Sequence, residues 1–274
     1  MQIDPFFQVP MHTHTTSAGE VELPLLIKEA DCTIALFLCS RDRVWQQLEG
    51  SGMQPALEFG RHALVGMSLY NVEQSNFGPH RCMVLSIPVV RQRGFRPVSP
   101  WRELFARADK RHMGFYPLSI MTNSALKTTV GRELWGFPNY LSQVDFELRE
   151  SRIACRVSNG PQTLMELTGN GFRICRAKRL DYNMFSRLNN QLLRALLVTR
   201  GQFHAQFPLG YRLRLGAASH PLTDQLRALE LDGKRPLALV SSSNYQARMQ
   251  EGVVVEQLPD QALLPQPKSA HLVV

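Results

Sequence analysis

From residue 144 onward, apolar and polar side chains change places at every step: Val144, Phe146 and Leu148 alternate with Asp145, Glu147 and Arg149. A two-residue period sends one set of side chains toward a core and the other toward water, which is the pattern of a half-buried strand. Ile153, Cys155 and Val157 repeat it, Leu164 and Leu167 belong to a third apolar segment, and Leu213 and Leu215 alternate with Arg212 and Arg214. Asn159-Gly160, between the second and third segments, suits the positive φ angles of a tight hairpin. Asn170-Gly171 reads as a further turn. The apolar stretch from Thr33 to Cys39, bounded by Asp31 and Arg41, reads as a buried strand. Consecutive hairpins predict an α+β, mainly β chain whose antiparallel sheet closes or nearly closes into a barrel with flanking helices.

The predicted helices are few. Ser99-Pro100 supplies an N-cap and a first-turn proline for a helix through Trp101, Leu104, Phe105 and Ala108. Between Met184 and Val198, the residues Leu188, Leu192, Leu193, Leu196 and Leu197 fall at helical spacing, and Leu222, Leu226 and Leu229 mark another helix. There are no internal repeats and no low-complexity linker. The reading is one domain over residues 1–258, with residues 259–274, a mixture of prolines and polar residues, as a loosely held tail.

Composition removes several function classes. No apolar run approaches the roughly 20 residues that span a bilayer as a helix. The net charge of +8 invites a nucleic-acid reading, but the densest groups (Arg91, Arg93, Arg96; Arg173, Arg176, Lys178, Arg179) carry no interleaved aromatics and no accompanying motif. Solvated charge, or a small anionic ligand, accounts for them better than nucleic acid. The five cysteines are odd in number and lack a C-x-x-C pair. That argues against a disulfide framework or structural zinc site and for a reducing compartment. With Met1-Gln2-Ile3-Asp4-Pro5 lacking a secretory pattern, the expectation is a cytoplasmic protein. His12-Thr13-His14 would align two imidazoles but offers no third ligand, and no P-loop, dinucleotide fingerprint or H-E-x-x-H is present. No metal and no cofactor is expected.

The most informative segment runs from Asn123 to Ser142. Asn123 or Ser124 can cap a short helix through Ala125, Leu126, Thr129, Val130 and Leu134. Gly136 is placed to end it at positive φ, and Pro138 prevents its resumption. Residues 139 and 140 are thereby held at a helix-to-strand junction, where rigid elements on both sides favour a binding site.

The run Gly131-Arg132-Glu133-Leu134-Trp135-Gly136-Phe137-Pro138 resembles the signature of the acetoacetate decarboxylase family, in which G-R-E-x-W-G-F/Y-P leads into two lysines. Phe77-Gly78-Pro79-His80, leading to Ser86-Ile87-Pro88-Val89, is similar to that family's upstream strand, and Trp45 to Leu57 to its early helix and turn. The resemblance implies a cone-like antiparallel barrel, an interior active-site cavity and a homo-oligomer. It also implies a first lysine that attacks a β-keto acid carbonyl to form an imine, with a second lysine and apolar walls keeping the first one neutral.

Here both lysines are missing: Asn139 and Tyr140 occupy their places. Cys82 falls where the family usually carries a cavity glutamate, and Cys32 is nearest to its early arginine. The candidate cavity residues are therefore Cys82, Arg132, Glu133, Trp135, Phe137, Asn139 and Tyr140, with the catalytic residues unassigned. Of the six lysines, Lys110, Lys234 and Lys268 read as solvated, whereas Lys127 or Lys178 could enter a cavity. The resulting expectation is a protein that binds a small keto acid or other carbonyl or carboxylate compound without decarboxylating it through a lysine imine. Two rivals stand beside it: an enzyme using general acid–base residues for hydration, dehydration, enolisation or hydrolysis, and a non-catalytic interaction protein.

Overall fold

The computed structural model describes residues 4–93, 110–149, 152–177 and 181–258. A small hairpin, β1 (His12–Thr16) and β2 (Gly19–Leu23), precedes the long strand β3 (Leu25–Ser40) and helix α1 (Arg41–Gln47). Short β4 (Met53–Pro55) and β5 (Glu58–Phe59) lead into β6 (His62–Ser75), β7 (His80–Arg91) and β8 (Gly114–Thr122). Helix α2 (Ala125–Trp135) and β9 (Asn139–Leu141) follow, then β10 (Gln143–Arg149), β11 (Arg152–Asn159), β12 (Gln162–Ala177), β13 (Tyr182–Leu188), β14 (Gln191–Arg200) and β15 (Phe203–Leu215). Helix α3 (Pro221–Ala228), β16 (Ala238–Met249) and β17 (Val253–Gln257) complete the described chain.

Strands β16, β3, β6, β7, β8, β13 and β14 pair in that order, and β14 pairs back to β16, so the sheet closes into a barrel. Pairing is antiparallel except between β8 and β13 and between β8 and β9. From β16 the same sheet continues through β15, β12, β11 and β10. This extension folds over the outside of the barrel wall. Val144, Phe146, Ile153, Cys155, Val157 and Leu213 pack there against Phe37, Met67, Leu69, Met83 and Leu85, while Tyr70, Cys82, Ile120 and Tyr182 belong to a second cluster inside the barrel. Strands β6, β7 and β8 are therefore buried on both faces along most of their length. The clean alternation of residues 144–157 belongs to the cover, whose outer face meets water.

Three sequence expectations require correction. The segment from Met184 to Val198 is no helix but the hairpin β13–β14. Asn189 and Asn190 both take positive φ, 47° and 61°, the geometry of a two-residue turn whose twist matches the strands. Leucines spaced for a helix happen also to serve a strand: Leu192, Leu193 and Leu197 are all buried. Asn170-Gly171 is not a turn but lies inside β12. The glycines there serve close approach, since a Cβ on Gly169 would sit 2.5 Å from the Cα of Tyr211 on the neighbouring strand. The hairpin at Asn159-Gly160 is present, with its loop one residue later: Asn159 pairs with Gln162, and Gly160 alone of the dipeptide has positive φ. The helix expected from Ser99-Pro100, Lys178 and the tail 259–274 lie outside the described residues.

Candidate functional site

Helix α2 forms where the sequence predicts it. Ser124 Oγ accepts the amide hydrogen of Lys127 at 3.2 Å and caps the first turn. Gly136, at φ +64°, ends the helix and donates its N–H to the Arg132 carbonyl. The capped first turn fixes the backbone of Lys127, whose side chain enters a cavity of ≈ 90 Å³ inside the barrel. All seven barrel strands contribute to its walls. Those walls are mostly aliphatic and aromatic, and among the described lining residues Lys127 is the only lysine, arginine, aspartate or glutamate.

Lys127 Nζ stands 3.1 Å from His80 Nε2 and 3.3 Å from Cys82 Sγ. His80 Nδ1 lies 3.0 Å from the Gly78 carbonyl, which can only accept, so the ring proton sits on Nδ1 and Nε2 accepts from Lys127. Burial, reinforced by the lysine charge, pushes the His80 imidazole down to about 3. His80 is thus a neutral acceptor at ordinary pH. It orients the amine by a hydrogen bond and is too weak a base to take its proton.

The cavity's other polar feature is a cluster of phenols. Tyr70 and Tyr182 share a hydrogen bond of 3.0 Å between their hydroxyls. Tyr245 packs its ring against Tyr70 at 5.5 Å, and its hydroxyl, buried, completes no hydrogen bond of good geometry among the described residues. Burial raises all three phenols above their usual value, so they remain neutral donors. Tyr245 also interacts with Tyr182 through its side chain, and all three phenols line the cavity, where a ligand oxygen can meet them.

Of the seven residues singled out in the sequence, Cys82 lines the cavity and the other six are placed elsewhere. Asn139 is 1% exposed and turns its side chain along α2, donating from Nδ2 to the Lys127 carbonyl at 2.8 Å. It passes directly beneath Gly131, where an added Cβ would meet Asn139 Nδ2 at 1.9 Å. Arg132 is exposed; its Nε donates to the Asn139 carbonyl at 2.7 Å and its guanidinium lies over the Tyr140 ring. Tyr140 packs edge-on against His220, on the side of the cover. Glu133, also exposed, accepts from the backbone N–H and hydroxyl of Ser17 in the β1–β2 turn, and the Ser17 hydroxyl in particular lowers its carboxyl pKa. Trp135 donates to the Gln250 carbonyl and stacks on Phe137, helping to fill one part of the barrel interior. These residues hold α2 in place.

Sequence reading left open whether any lysine reaches the cavity, and Lys127 does. It missed Tyr70, Tyr182 and Tyr245, which lie far apart in the chain. A partial signal existed in register: Cys32, Tyr70 and Cys82 are direct neighbours across β3, β6 and β7.

Comparison with known proteins finds relatives of this fold. A sequence profile of the family described as acetoacetate decarboxylase (ADC) matches residues 8–175. The solved acetoacetate decarboxylase from Legionella pneumophila subsp. pneumophila str. Philadelphia 1 superposes with a TM-score of 0.64 at 17% identity, covering 93% of this chain and 95% of that one. An acetoacetate decarboxylase-like enzyme from Sphingomonas wittichii RW1 gives 0.60 at 15% identity, over 86% and 94% of the two chains. The enduracididine biosynthesis enzyme MppR complexed with pyruvate gives 0.56 at 9% identity, over 86% and 91%. No curated protein sequence matches significantly.

Proposed function

Because the chain belongs to the acetoacetate decarboxylase family, we propose that it takes up a small keto acid or other carbonyl compound in the barrel cavity and binds it as an imine of Lys127. One observation carries the proposal: a lysine amine sits on the wall of a mostly apolar cavity whose other described lining residues carry no charge, 3.1 Å from a neutral histidine and 3.3 Å from a thiol. The sequence offers no amine at position 139, and Lys127 supplies one from the other end of the same helix–strand junction. Asn139 keeps a link to this site, since its amide grips the carbonyl of the lysine residue itself.

The chemistry follows from the residues. Lys127 Nζ adds to the carbonyl carbon after its ammonium has given up a proton; water leaves as that proton returns, and the protonated imine draws electron density from the bonds of the adjacent carbon. That electron sink serves lyase-type steps, in which a carbon–carbon or carbon–hydrogen bond next to the former carbonyl is broken. Apolar walls exclude competing water, and the neutral tyrosine hydroxyls offer hydrogen bonds to a ligand oxygen. A MppR structure with pyruvate supports a small carbonyl ligand for this fold.

The test is reductive trapping. Protein incubated with pyruvate or acetoacetate and then with borohydride gains a stable adduct, which peptide mapping locates on Lys127; Lys127→Arg abolishes it while leaving the thermal transition in place. Adduct on another lysine, or none in the wild type under conditions that trap a reference amine, removes the proposal.

A further inference from the structure

Two nucleophiles, not one, face the same end of this cavity. Lys127 Nζ is 3.3 Å from Cys82 Sγ, and both line the cavity wall. Cys82 is 2% exposed and lies between Tyr70 and Thr122 on the neighbouring strands. Among the described lining residues there is no second cation to pair with a ligand carboxylate once Lys127 is committed as an imine. The cavity of ≈ 90 Å³ has room for a short carbon chain.

From this juxtaposition we infer that the site accepts uncharged, short α,β-unsaturated aldehydes or ketones, captured at both ends: the carbonyl carbon by Lys127 and the β-carbon by Cys82. The inference rests on the imine reading above and adds the thiol to it. In such a molecule the two electrophilic carbons flank a single carbon, so an amine and a thiol in van der Waals contact can reach them together.

The steps balance. Lys127 Nζ bonds to the carbonyl carbon and the carbonyl oxygen leaves as water, giving a conjugated, protonated imine. Cys82 Sγ then bonds to the β-carbon; the carbon–carbon π pair shifts toward nitrogen as an enamine, and the thiol proton ends on the α-carbon. An ammonium, a thiol and the unsaturated carbonyl compound become one bridged, protonated imine and one water, with no oxidant or reductant required. His80 Nε2, 3.1 Å from Lys127 Nζ, helps to hold the amine beside the thiol. Cys82 is distinguished from Cys32, also buried, because Cys32 neither lines the cavity nor approaches the amine within hydrogen-bond distance.

Crotonaldehyde and its saturated counterpart butanal are the probes, applied to the full chain with exposed Cys175 replaced by serine. After borohydride treatment, crotonaldehyde should join the peptides of Cys82 and Lys127, adding the mass of the aldehyde less one water plus two hydrogens. Butanal should label Lys127 only, and Cys82→Ser should reduce crotonaldehyde to that single-point behaviour, with at least a tenfold loss of bridged product. If both aldehydes label Lys127 without engaging Cys82, the inference falls and the imine reading stands. If crotonaldehyde forms a thioether at Cys82 whose yield is unchanged in Lys127→Arg, joint capture is wrong. If neither aldehyde labels Lys127, both readings fall together.

Discussion

Asn139 and Gly131 are a matched pair: the asparagine amide occupies the space that a methyl group on residue 131 would fill. Substituting Gly131→Ala in the wild type should cost about 1–3 kcal/mol, the usual price of overpacking a dense site. In an Asn139→Ala background the obstacle is gone, and the same change should instead stabilise by up to about 1 kcal/mol, because alanine is the better helix former. Urea denaturation of the four proteins in this cycle checks the reversal of sign; additive effects would mean that the two residues do not touch. The cycle also explains why a motif matched so fully around 131–138 misled about the cavity. Arg132, Glu133, Trp135 and Phe137 secure the end of the helix, whereas the chemistry-bearing side chain leaves from its beginning. Residue identity was legible in the sequence; side-chain direction was not, because it depends on which partners the helix end finds at Ser17, Gln250 and Tyr140.

Among the elements, α2 was readable in detail because both its stop signals are local: Ser124 caps it and Gly136 takes the left-handed conformation. Segment 184–198 was misread because leucine spacing was weighed above two consecutive asparagines. Asn189 is exposed, at φ 47°. Asn189→Val should destabilise by about 1–2 kcal/mol, the left-handed penalty of a residue with a Cβ, while Asn189→Gly should be neutral or better. For a chain of this size the valine variant should melt roughly 2–4 °C lower per kcal/mol. Equal melting of the valine and glycine variants would argue against the two-residue turn. The strands of the cover could be read from alternation, whereas β6, β7 and β8 of the barrel wall could not, since burial on two faces erases the period that marks a half-exposed strand.

For the whole molecule, the buried histidine ties folding to pH. In the unfolded chain His80 takes a proton as pH falls below about 6.5, whereas in the folded chain it stays neutral until about 3. Between those values the unfolded state binds more protons, so stability is complete above pH 6.5 and declines as pH drops, by at most about 1.4 kcal/mol per pH unit from this group. Comparing denaturant midpoints of wild type and His80→Asn from pH 7 to 5, where most carboxylates remain ionised, should give a shallower slope for the variant; parallel slopes would remove His80 from the account. The imidazole is buried because the barrel closes around it, and that closure is where sequence reading stops. The sequence by itself determined that this chain is mainly β, that a capped helix precedes residue 139, and that position 139 carries no amine, for these rest on neighbouring residues. Only the tertiary structure decided that Lys127, Cys82 and three distant tyrosines line one cavity, with His80 against the amine. Strand pairing over long separations sets which face of each strand points inward, and no local pattern contains that choice.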